Sequence, residues 1–494
     1  MRRFGWALLI TIIALGCARE ERITIDVFFT ADVQGFYFSR PEPRLDNQEA
    51  GGYGVLKNFL QTRTAPYLLF DGGNWLGSSA EGTLSKGSYV PLLTSSIAFT
   101  AGTLTDKDLV FGWPIARNFV KELQYPLVVS NLRLENQIPW PLHDYQIRTV
   151  EGIKIGIFGL IAPLDKNQSR LQGLSTLSPI TTAQEMTTLL KEKGVDYIIV
   201  LSALGLSDQA GYTNASLAAE VEGIDLILAS NQDNEIPETE QINHTWIIYP
   251  GSKLDSVGKI TLQFDQNHQL KETTFTDEPL LKNVYGEDAD IAAKAQELVS
   301  QTRSHMKRFI AHNPQTIETD LQNQSPLGTL LTQCLHKWAK LDGAILNAAS
   351  IRSPLPKGDL PEFDLYKSYP YGDNITFVTL KGEAFIKAVQ ASLNAPDNFP
   401  QIAGFTVQYA VLPSGEKRVI RITLNNGRIV RPKDTYRLAV TDHILAGGFE
   451  HDEFINALEF KSTFVEARQI MRSCLVRQKT LAIPEYKDRW KQIK

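Results

Sequence analysis

Three kinds of feature are scarce or missing in this sequence. It has 3 cysteines among 494 residues, and their spacing matches no cysteine-based metal site. Lysine and arginine number 50 against 55 aspartates and glutamates, so the chain lacks the basic field that binds nucleic acid. Internal repeats and low-complexity tracts are absent as well. These absences exclude a cysteine-held zinc centre, a nucleic-acid-binding protein and a repeat protein.

The composition is that of a folded globular protein. Hydrophobic residues make up 43% of the chain and charged residues 21%, which is ordinary for a soluble domain. A chain of 494 residues exceeds the size of a single hydrophobic core, and its length predicts roughly two to four domains. Disorder is therefore not the expected state of this chain.

The N-terminus has the order of a secretory signal, because Arg2 and Arg3 precede an apolar run from Phe4 to Leu15. This run is too short for a permanent membrane helix. Small residues lie before Cys17, and the segment resembles the lipobox of bacterial lipoproteins. We expect residues 1–17 to be a lipoprotein signal and Cys17 to carry the lipid that anchors the protein in the bacterial cell envelope, on its periplasmic or surface face. An ordinary signal or an uncleaved anchor is the alternative.

Short β-rich runs recur between residue 22 and about residue 270, with helix-like segments between several of them. This alternation predicts an α/β layer domain over 22–270. A charged, alanine-rich stretch then favours one long helix over 285–311 that connects two domains. A second α/β pattern follows over 312–480. The strands predicted in the first domain are ITIDVFF, YLLF, YPLVVS, KIGIFGL, DYIIVLS, DLILA, WIIYP and KITLQF.

Two cysteines lie in the second domain, Cys334 in LLTQCLHKW and Cys474 in QIMRSCLVR, both in helical-looking context. In an oxidising compartment they could form a disulfide. Two buried free thiols in a helical core are an equally supported alternative. The sequence leaves both open.

Polar clusters lie where apolar runs of the first domain stop: ADVQG follows FFT, DGGN follows LLF, ALG follows IVLS and NQDN follows LILAS. Ligand sites of α/β sheets form at the carboxyl ends of strands, because the backbone leaves the layer there and side chains converge. The four turns therefore predict a site at this edge of the sheet.

These turns resemble those of a known family. ITIDVFFTADVQG, LLFDGGNWLGSS, LTDKDLVFG, IIVLSALG and IDLILASNQDN resemble, in order, the metal loops of the 5′-nucleotidase and UDP-sugar hydrolase family. QSPLGTLL, AILNAASIRSPLPKGDL and YPYGDNITFVTLKGEAF resemble its substrate domain. The resemblance covers about residues 23–455. It implies an α/β protein of two domains, an N-terminal metallophosphoesterase-like β-sandwich with flanking helices and a C-terminal α/β substrate domain, joined by a long helix.

Members of this family resemble one another in holding two divalent metal ions, which polarise a phosphoryl group and supply a bound hydroxide. Of the eight metal positions that the resemblance places on this chain, only the first aspartate is unchanged, and every family histidine is replaced. The residues at these former metal positions are Asp32, Gln34, Asn74, Asp106, Lys107, Ala203, Asn231 and Asp233.

The replacements predict weakened metal binding. Imidazole suits zinc and similar ions, whereas amide and carboxylate oxygens suit harder cations. Ala203 has no ligand atom, and Asn74 lacks the charge of the bridging carboxylate. The ammonium of Lys107 repels a metal ion and could instead pair with Asp32, Asp106 and Asp233. We therefore expect no cofactor. The alternative is a divalent cation, Ca²⁺ or Mg²⁺ rather than Zn²⁺, held by the oxygen-bearing side chains of the set.

The substrate domain is altered at positions that the resemblance makes ligand-binding. Asn347 and Arg352 keep the two ends of the family's N-G-G-G-I-R turn, and Arg352 can clamp a phosphate or carboxylate. A salt bridge that holds its own turn is the alternative role for Arg352. Ile402 and Ile444 fall where family members stack a nucleobase between two aromatic rings. Isoleucine has no π face, so base stacking is weakened.

The sequence supports two hypotheses for function. The favoured one is an envelope lipoprotein of this family that is catalytically impaired and binds a small phosphate-bearing ligand or an envelope protein. The alternative is an active metal-dependent hydrolase of nucleotides or related phosphate esters. Joint loss of metal ligands and stacking aromatics favours the first, because damage to one site alone would indicate only a changed metal or substrate.

Overall fold

The computed structural model describes residues 22–77, 79–164, 171, 173–205, 211–230, 239–394, 399–445, 452–454, 457–486 and 489–493. The predicted signal segment, including Cys17, lies outside the described residues. Within them, no helix combines the length and the apolar character that crossing a membrane requires.

Most apolar runs of the N-terminal half form strands, and helices lie between them, as the alternation in the sequence predicts. The strands are β1 Ile23–Thr30, β2 Arg40–Glu42, β3 Gln48–Ala50, β4 Tyr67–Asp71, β5 Ala101–Gly102, β6 Leu132–Leu134, β7 Tyr145–Val150, β8 Ile153–Ile161, β9 Leu174–Thr176, β10 Tyr197–Ala203, β11 Leu226–Ala229, β12 Glu240–Ile242, β13 Thr245–Ile248, β14 Ser256–Phe264 and β15 Leu270–Pro279. The helices are α1 Tyr53–Gln61, α2 Ala80–Ser85, α3 Tyr89–Thr94, α4 Trp113–Val120, α5 Pro179–Glu192, α6 Asn214–Glu220, α7 Lys282–Tyr285 and α8 Ala289–Met306.

Two sheets pack face to face in this half. One has the strand order β15-β14-β1-β4-β5 and the other β12-β13-β11-β10-β8-β7. Successive side chains of a strand alternate between its two faces. In β1, Val27 and Phe29 therefore join the apolar layer between the sheets, together with Ile199 of the second sheet, while Phe28 packs on the outer face. The predicted β-sandwich is confirmed.

Helices cover the outer faces of both sheets. The apolar sides of α1, α3, α4 and α8 pack with Phe28 and Leu69 of the first sheet. Those of α5 and α6 pack with Phe158 and Val200 of the second. Because the faces are covered, the strand ends and their loops remain the places where polar side chains can meet a ligand.

One predicted strand of this half is wrong, and several observed strands, β7 and β15 among them, were not predicted. The run at 125–130, predicted as a strand, forms isolated bridges, since Leu127 pairs with Gly102 and Val128 with His143. The segment changes partner within two residues, so no continuous ladder forms. Strand β15 was not predicted. It lies at the edge of its sheet and its sequence, LKETTFTDEP, is largely exposed, so it lacks the apolar signal of an inner strand.

The segment predicted as one long connecting helix is a shorter helix followed by a strand. Helix α8 begins after Asp288, whose carboxylate accepts a hydrogen bond from the Ile291 N–H at 3.0 Å. Ile291 and Leu298 pack into the core beneath the first sheet, so this helix is part of the N-terminal half. The residues RFIA, predicted as helix, instead enter a strand over Phe309–Asn313. The domain boundaries themselves stay predictions.

The C-terminal half is a second α/β unit. Its strands are β16 Phe309–Asn313, β17 Gly343–Asn347, β18 Gly358–Pro361, β19 Asn374–Lys381, β20 Pro400–Ala403, β21 Phe405–Val411, β22 Lys417–Leu424, β23 Thr435–Thr441, β24 Glu459–Glu466 and β25 Trp490–Gln492. Its helices are α9 Pro326–Ala339, α10 Glu362–Ser368, α11 Gly382–Asn394, α12 Asp442–Leu445 and α13 Ala467–Gln478.

A mixed sheet with the order β20-β17-β23-β19-β24 forms the centre of this half. Helices α9, α10 and α13 pack in one apolar cluster on the sheet. Helix α11 and the β21–β22 hairpin pack in another. A disulfide between Cys334 and Cys474 joins α9 to α13, which decides between the two alternatives that the sequence left open.

Candidate functional site

Two polar loops meet where strands β1 and β4 end. The strands are parallel neighbours and pair Thr30 with Asp71, so their loops leave the sheet side by side. The Nδ2 atom of Asn74 donates a hydrogen bond to Oδ1 of Asp32 at 2.6 Å. Both side chains are buried, with 3% of Asp32 and 1% of Asn74 exposed. The fold thus brings these two former metal positions into direct contact.

Backbone hydrogen bonds hold the two loops in an unusual conformation. Asp32, Gln34 and Asn74 have φ angles of 52°, 51° and 55°, in the left-handed region that non-glycine residues seldom adopt. The Asp32 N–H donates to the Gly73 carbonyl at 3.1 Å, and the Gln34 N–H donates to the Asn74 carbonyl at 2.8 Å. Because such residues persist where surrounding structure holds them and cluster at functional sites, the geometry marks these loops as a site.

A buried carboxylate, Asp108, stabilises the Asn74 loop on the side away from the cleft. It accepts hydrogen bonds from the N–H groups of Asn74 at 2.7 Å and Trp75 at 2.8 Å, and from the Thr105 hydroxyl at 2.9 Å. Burial raises the pKa of Asp108 to about 6. Its two preceding neighbours, Asp106 and Lys107, were predicted as site residues from the sequence, and Asp108 was not. In the sequence, the indication for Asp108 was its position as the third charged residue of LTDKDLVFG, directly before the apolar residues LVF.

Asp71 is a second buried carboxylate that was not predicted as a site residue. Its Oδ2 accepts a hydrogen bond from Nε1 of Trp75 at 2.9 Å, and its Oδ1 accepts one from the Gly73 N–H at 2.9 Å. The side chain is 0% exposed, and burial raises its pKa to about 7. In the sequence, the indication for Asp71 was its position as the carboxylate at the end of the apolar strand β4. Asp71 and Asp108 support the loops and do not line the cleft in front of them.

The loops open into a cleft of about 580 Å³ between the N-terminal and C-terminal halves. Four former metal positions line its N-terminal wall, and the predicted substrate-binding Arg352 lines the opposite wall. The lining residues are Gln34, Asn74, Leu76, Gly77, Thr83, Asp106, Lys107, Val110 and Phe111 on one side and Arg352, Tyr366, Pro370, Tyr371 and Gly372 on the other. The structure therefore brings predicted residues of both halves to one space.

Among the described residues, two further former metal positions, Asp32 and Ala203, do not line this cleft. Ala203 ends β10 and is 0% exposed, so it offers no ligand atom. Asp32 is buried in its contact with Asn74. Asn231 and Asp233 lie outside the described residues. The pairing of Lys107 with aspartates stays a prediction.

Arg352 and Asn347 lie at the two ends of their predicted turn. Arg352 is exposed, and its Nη1 donates a hydrogen bond to the Ala349 carbonyl at 3.3 Å. Over the part of the chain that the structure covers, Arg352 forms no salt bridge, so the alternative that a salt bridge holds its turn needs correction. The Ala349 carbonyl, within the same turn, is the hydrogen-bond partner of Arg352. Asn347 ends β17 and is 1% exposed.

Ile402 and Ile444 lie in the hydrophobic core and away from the cleft. Both are 0% exposed and belong to the cluster that includes Phe385 of α11. Their prediction as residues of a base-binding position therefore needs correction. The packing of β20 and α12 directs both side chains into the core.

The described residues do not fit the paired-metal site that the family resemblance implies. The Asp32 carboxylate is bonded to the amide of Asn74, the ammonium of Lys107 lines the same cleft, and Ala203 has no ligand atom. Within the described ranges, no group of three or more histidines, cysteines, aspartates and glutamates is placed to hold a metal ion. No catalytic step through paired metals is derived for this site.

The fold and the loop site define a class of protein, namely a two-domain α/β protein whose N-terminal sandwich is metallophosphoesterase-like and whose cleft lies between the domains. Residues 304–457 match the family described as "5′-nucleotidase, C-terminal domain". This part of the chain belongs to that family, and the chain as a whole resembles 5′-nucleotidases in sequence and fold.

Comparison with known proteins agrees with this assignment. The 5′-nucleotidase of Vibrio cholerae is 22% identical over 396 residues, covering 69% of this chain and 70% of that protein. The crystal structure of a putative 5′-nucleotidase from Staphylococcus aureus has a TM-score of 0.74 at 20% identity and covers 96% of this chain and 100% of that chain. The match to the endonuclease YhcR of Bacillus subtilis, 22% identical, covers 64% of this chain and 27% of that protein, so the chain spans about a quarter of that relative.

Proposed function

We propose that this chain is a 5′-nucleotidase-family protein in which hydrolysis is impaired and the interdomain cleft binds a small phosphate-bearing ligand. The observation that carries the proposal is the 2.6 Å hydrogen bond from Nδ2 of Asn74 to Oδ1 of Asp32. Two carboxylates at this separation would need a cation or a shared proton between them. An amide donor satisfies Asp32 directly, so the loops stay assembled without a metal.

The lining of the cleft supports an anionic ligand. Lys107 and Arg352 contribute cationic groups from opposite walls, and Phe111 and Tyr371 contribute apolar surface. Guanidinium groups bind phosphate through paired hydrogen bonds. A volume of about 580 Å³ lies within the range of small-molecule sites.

The first test asks whether the chain holds metal and turns over substrate. The protein from Ala18 onward is purified, its metal content is measured by elemental analysis, and a panel of phosphate esters is assayed with manganese, zinc, magnesium and calcium. We expect no stoichiometric metal and no turnover. Stoichiometric metal with turnover that disappears on Asp32→Ala would establish the alternative, an active hydrolase. Thermal stabilisation by calcium without turnover would instead establish the hard-cation alternative.

The second test asks whether the cleft binds phosphate-bearing ligands. Adenosine 5′-monophosphate serves as the probe in calorimetric titrations of the wild type, Arg352→Gln and the control Lys357→Gln. We expect Arg352→Gln to weaken binding roughly tenfold, because a charged hydrogen bond to phosphate is lost. Lys357 is exposed on the same loop and does not line the cleft, so Lys357→Gln leaves binding unchanged. Equal losses in both variants would contradict a role for Arg352.

We also propose that the protein is exported and held in the cell envelope by a lipid on Cys17. The lipobox-like segment supports this location, and a Cys334–Cys474 disulfide is of the kind that persists in oxidising compartments. Labelling cells with radioactive palmitate tests the proposal. The wild-type chain takes up label, and Cys17→Ala does not. Uptake that is unchanged in Cys17→Ala would refute the anchor.

A further inference from the structure

A second cavity, of about 570 Å³, lies at the seam where both halves meet the end of α8. Its walls come from four segments far apart in sequence: the α2 segment with Lys86, the end of α8 and its following turn with Arg308, the start of α10 with Glu362, and α13 with Arg472. It shares Thr83 with the interdomain cleft, and the other lining residues of the two spaces differ. The seam cavity, as we name this space, therefore does not belong to the candidate site described above.

The seam cavity has more positive than negative charge. Four cationic side chains line it, Lys86, Arg308, Arg468 and Arg472, against the two carboxylates of Glu362 and Glu466. This leaves an excess of two positive charges. Like charges gathered in one concave space raise the local concentration of anions.

The two carboxylates are already engaged by three of the four cations. Glu466 pairs with Lys86 and lies 3.7 Å from Nη2 of Arg468. Glu362 accepts from Nε of Arg472 at 2.6 Å. These pairs bring the cavity walls together, and they leave no carboxylate of the cavity for the fourth cation.

Arg308 is that fourth cation. Its side chain is exposed, and among the residues that the structure describes it has neither an ion pair nor a side-chain hydrogen bond. The neighbouring His305 has a buried Nδ1 atom that meets no hydrogen-bond partner within the described residues. The guanidinium of Arg308 therefore keeps its donors for a ligand in this space, and the His305 side chain lines the same cavity.

We propose that the seam cavity binds a phosphate dianion, held by Arg308 and His305 from α8 and its following turn and by the cations of the flanking segments. The excess of two positive charges matches a dianion, and the planar guanidinium of Arg308 matches two phosphate oxygens. A ligand there contacts the N-terminal half, the α8 segment and the C-terminal half together, so it would stabilise their association.

Inorganic phosphate is the probe for this proposal. Calorimetric titrations are run on the wild type, Arg308→Gln, Arg303→Gln and Arg352→Gln. Arg308→Gln is expected to weaken phosphate binding at the seam roughly tenfold. Arg303→Gln removes the same charge from an exposed position of α8 that does not line the cavity, and it leaves binding unchanged. Arg352→Gln affects the interdomain cleft and leaves the seam binding in place.

Three results would overturn the proposal. The wild type might fail to bind phosphate at millimolar concentration, Arg308→Gln and Arg303→Gln could weaken binding equally, or Arg352→Gln could abolish all phosphate binding. The last result would assign all binding to the interdomain cleft, so it would support the proposed function while refuting the seam site. Arg308 is exposed, so its substitution is expected to leave the fold intact, and a thermal melt of each variant checks this.

Discussion

Single residues behind the cleft are arranged to support its loops. Asp71 and Asp108 are buried, and each accepts hydrogen bonds from the loop that carries Asn74 and Trp75. Burial disfavours the ionised carboxyl, while hydrogen bonds from N–H groups favour it. Burial dominates at both positions, so the pKa of each is raised. These two side chains therefore couple the stability of the loops to pH.

The free energy of unfolding is expected to depend on pH through the titration of Asp71. Its ordinary pKa of 3.8 rises to about 7 in the folded protein. Between about pH 5 and pH 6.5 this group is protonated when folded and ionised when unfolded, so it lowers the free energy of unfolding by about 1.4 kcal/mol per pH unit as pH rises. Its stabilising contribution is complete below pH 3.8 and is lost as pH passes about 7.

Asp71→Asn removes this contribution, because asparagine does not titrate. Urea unfolding of the wild type and the variant at several pH values measures the difference in slope. Asp46→Asn is the control, since Asp46 is exposed and its left-handed backbone suits asparagine. An Asp71→Asn protein with the wild-type slope would show that Asp71 titrates normally in the folded state.

At the scale of elements, helix α9 and helix α13 depend on a covalent link between them. Cys334 and Cys474 are 140 positions apart in sequence, and both are buried in the apolar cluster on one side of the C-terminal sheet. A disulfide that closes a long loop removes conformations from the unfolded chain. The link therefore stabilises the C-terminal half beyond the packing of the two helices.

Loss of the disulfide is expected to lower the free energy of unfolding by about 2–5 kcal/mol. Urea unfolding of the protein from Ala18 onward, with and without dithiothreitol, measures this loss. The Cys334→Ser/Cys474→Ser variant should match the reduced wild type and should not respond to dithiothreitol. Two free thiols titrated in the unreduced wild type would contradict the disulfide.

At the scale of the whole molecule, the two halves contact each other beside the cleft. Phe111 of the N-terminal half lies against Gly372 of the C-terminal half, where a Cβ would come within 2.8 Å of the Phe111 ring. Thr83 and Tyr366 add a hydroxyl contact at 3.4 Å. Gly372 is therefore a position where a small side chain permits close approach of the halves.

Gly372→Ala is expected to disturb this contact and to lower the free energy of unfolding by about 1–3 kcal/mol, as overpacking does elsewhere. In a Phe111→Ala background the added methyl meets no ring, so the same substitution should have little effect. The difference between the two backgrounds, measured by urea unfolding, is the coupling between the positions. Equal losses in both backgrounds would show that Gly372 serves another purpose.

The sequence by itself determined where most elements lie and which family turn each loop resembles. Apolar runs bounded by polar turns predicted strands such as β1, β4, β8 and β10, because strand and helix periodicity is a local property. The polar turns after these runs also located Asp32 and Asn74, whereas Arg352 was placed by resemblance to the family. The hydrophobic pattern did not predict strands whose exposure depends on their position in the sheet, such as the polar edge strand β15.

The tertiary structure decided the contacts between distant segments. The hydrogen bond of Asn74 to Asp32, the disulfide of Cys334 and Cys474, and the burial of Ile402 each depend on which side chains the packed fold turns towards one another. Local sequence sets the alternation of faces along a strand, but which neighbour covers each face follows from long-range pairing. The candidate site was therefore predictable as a set of loops, while its geometry required the fold.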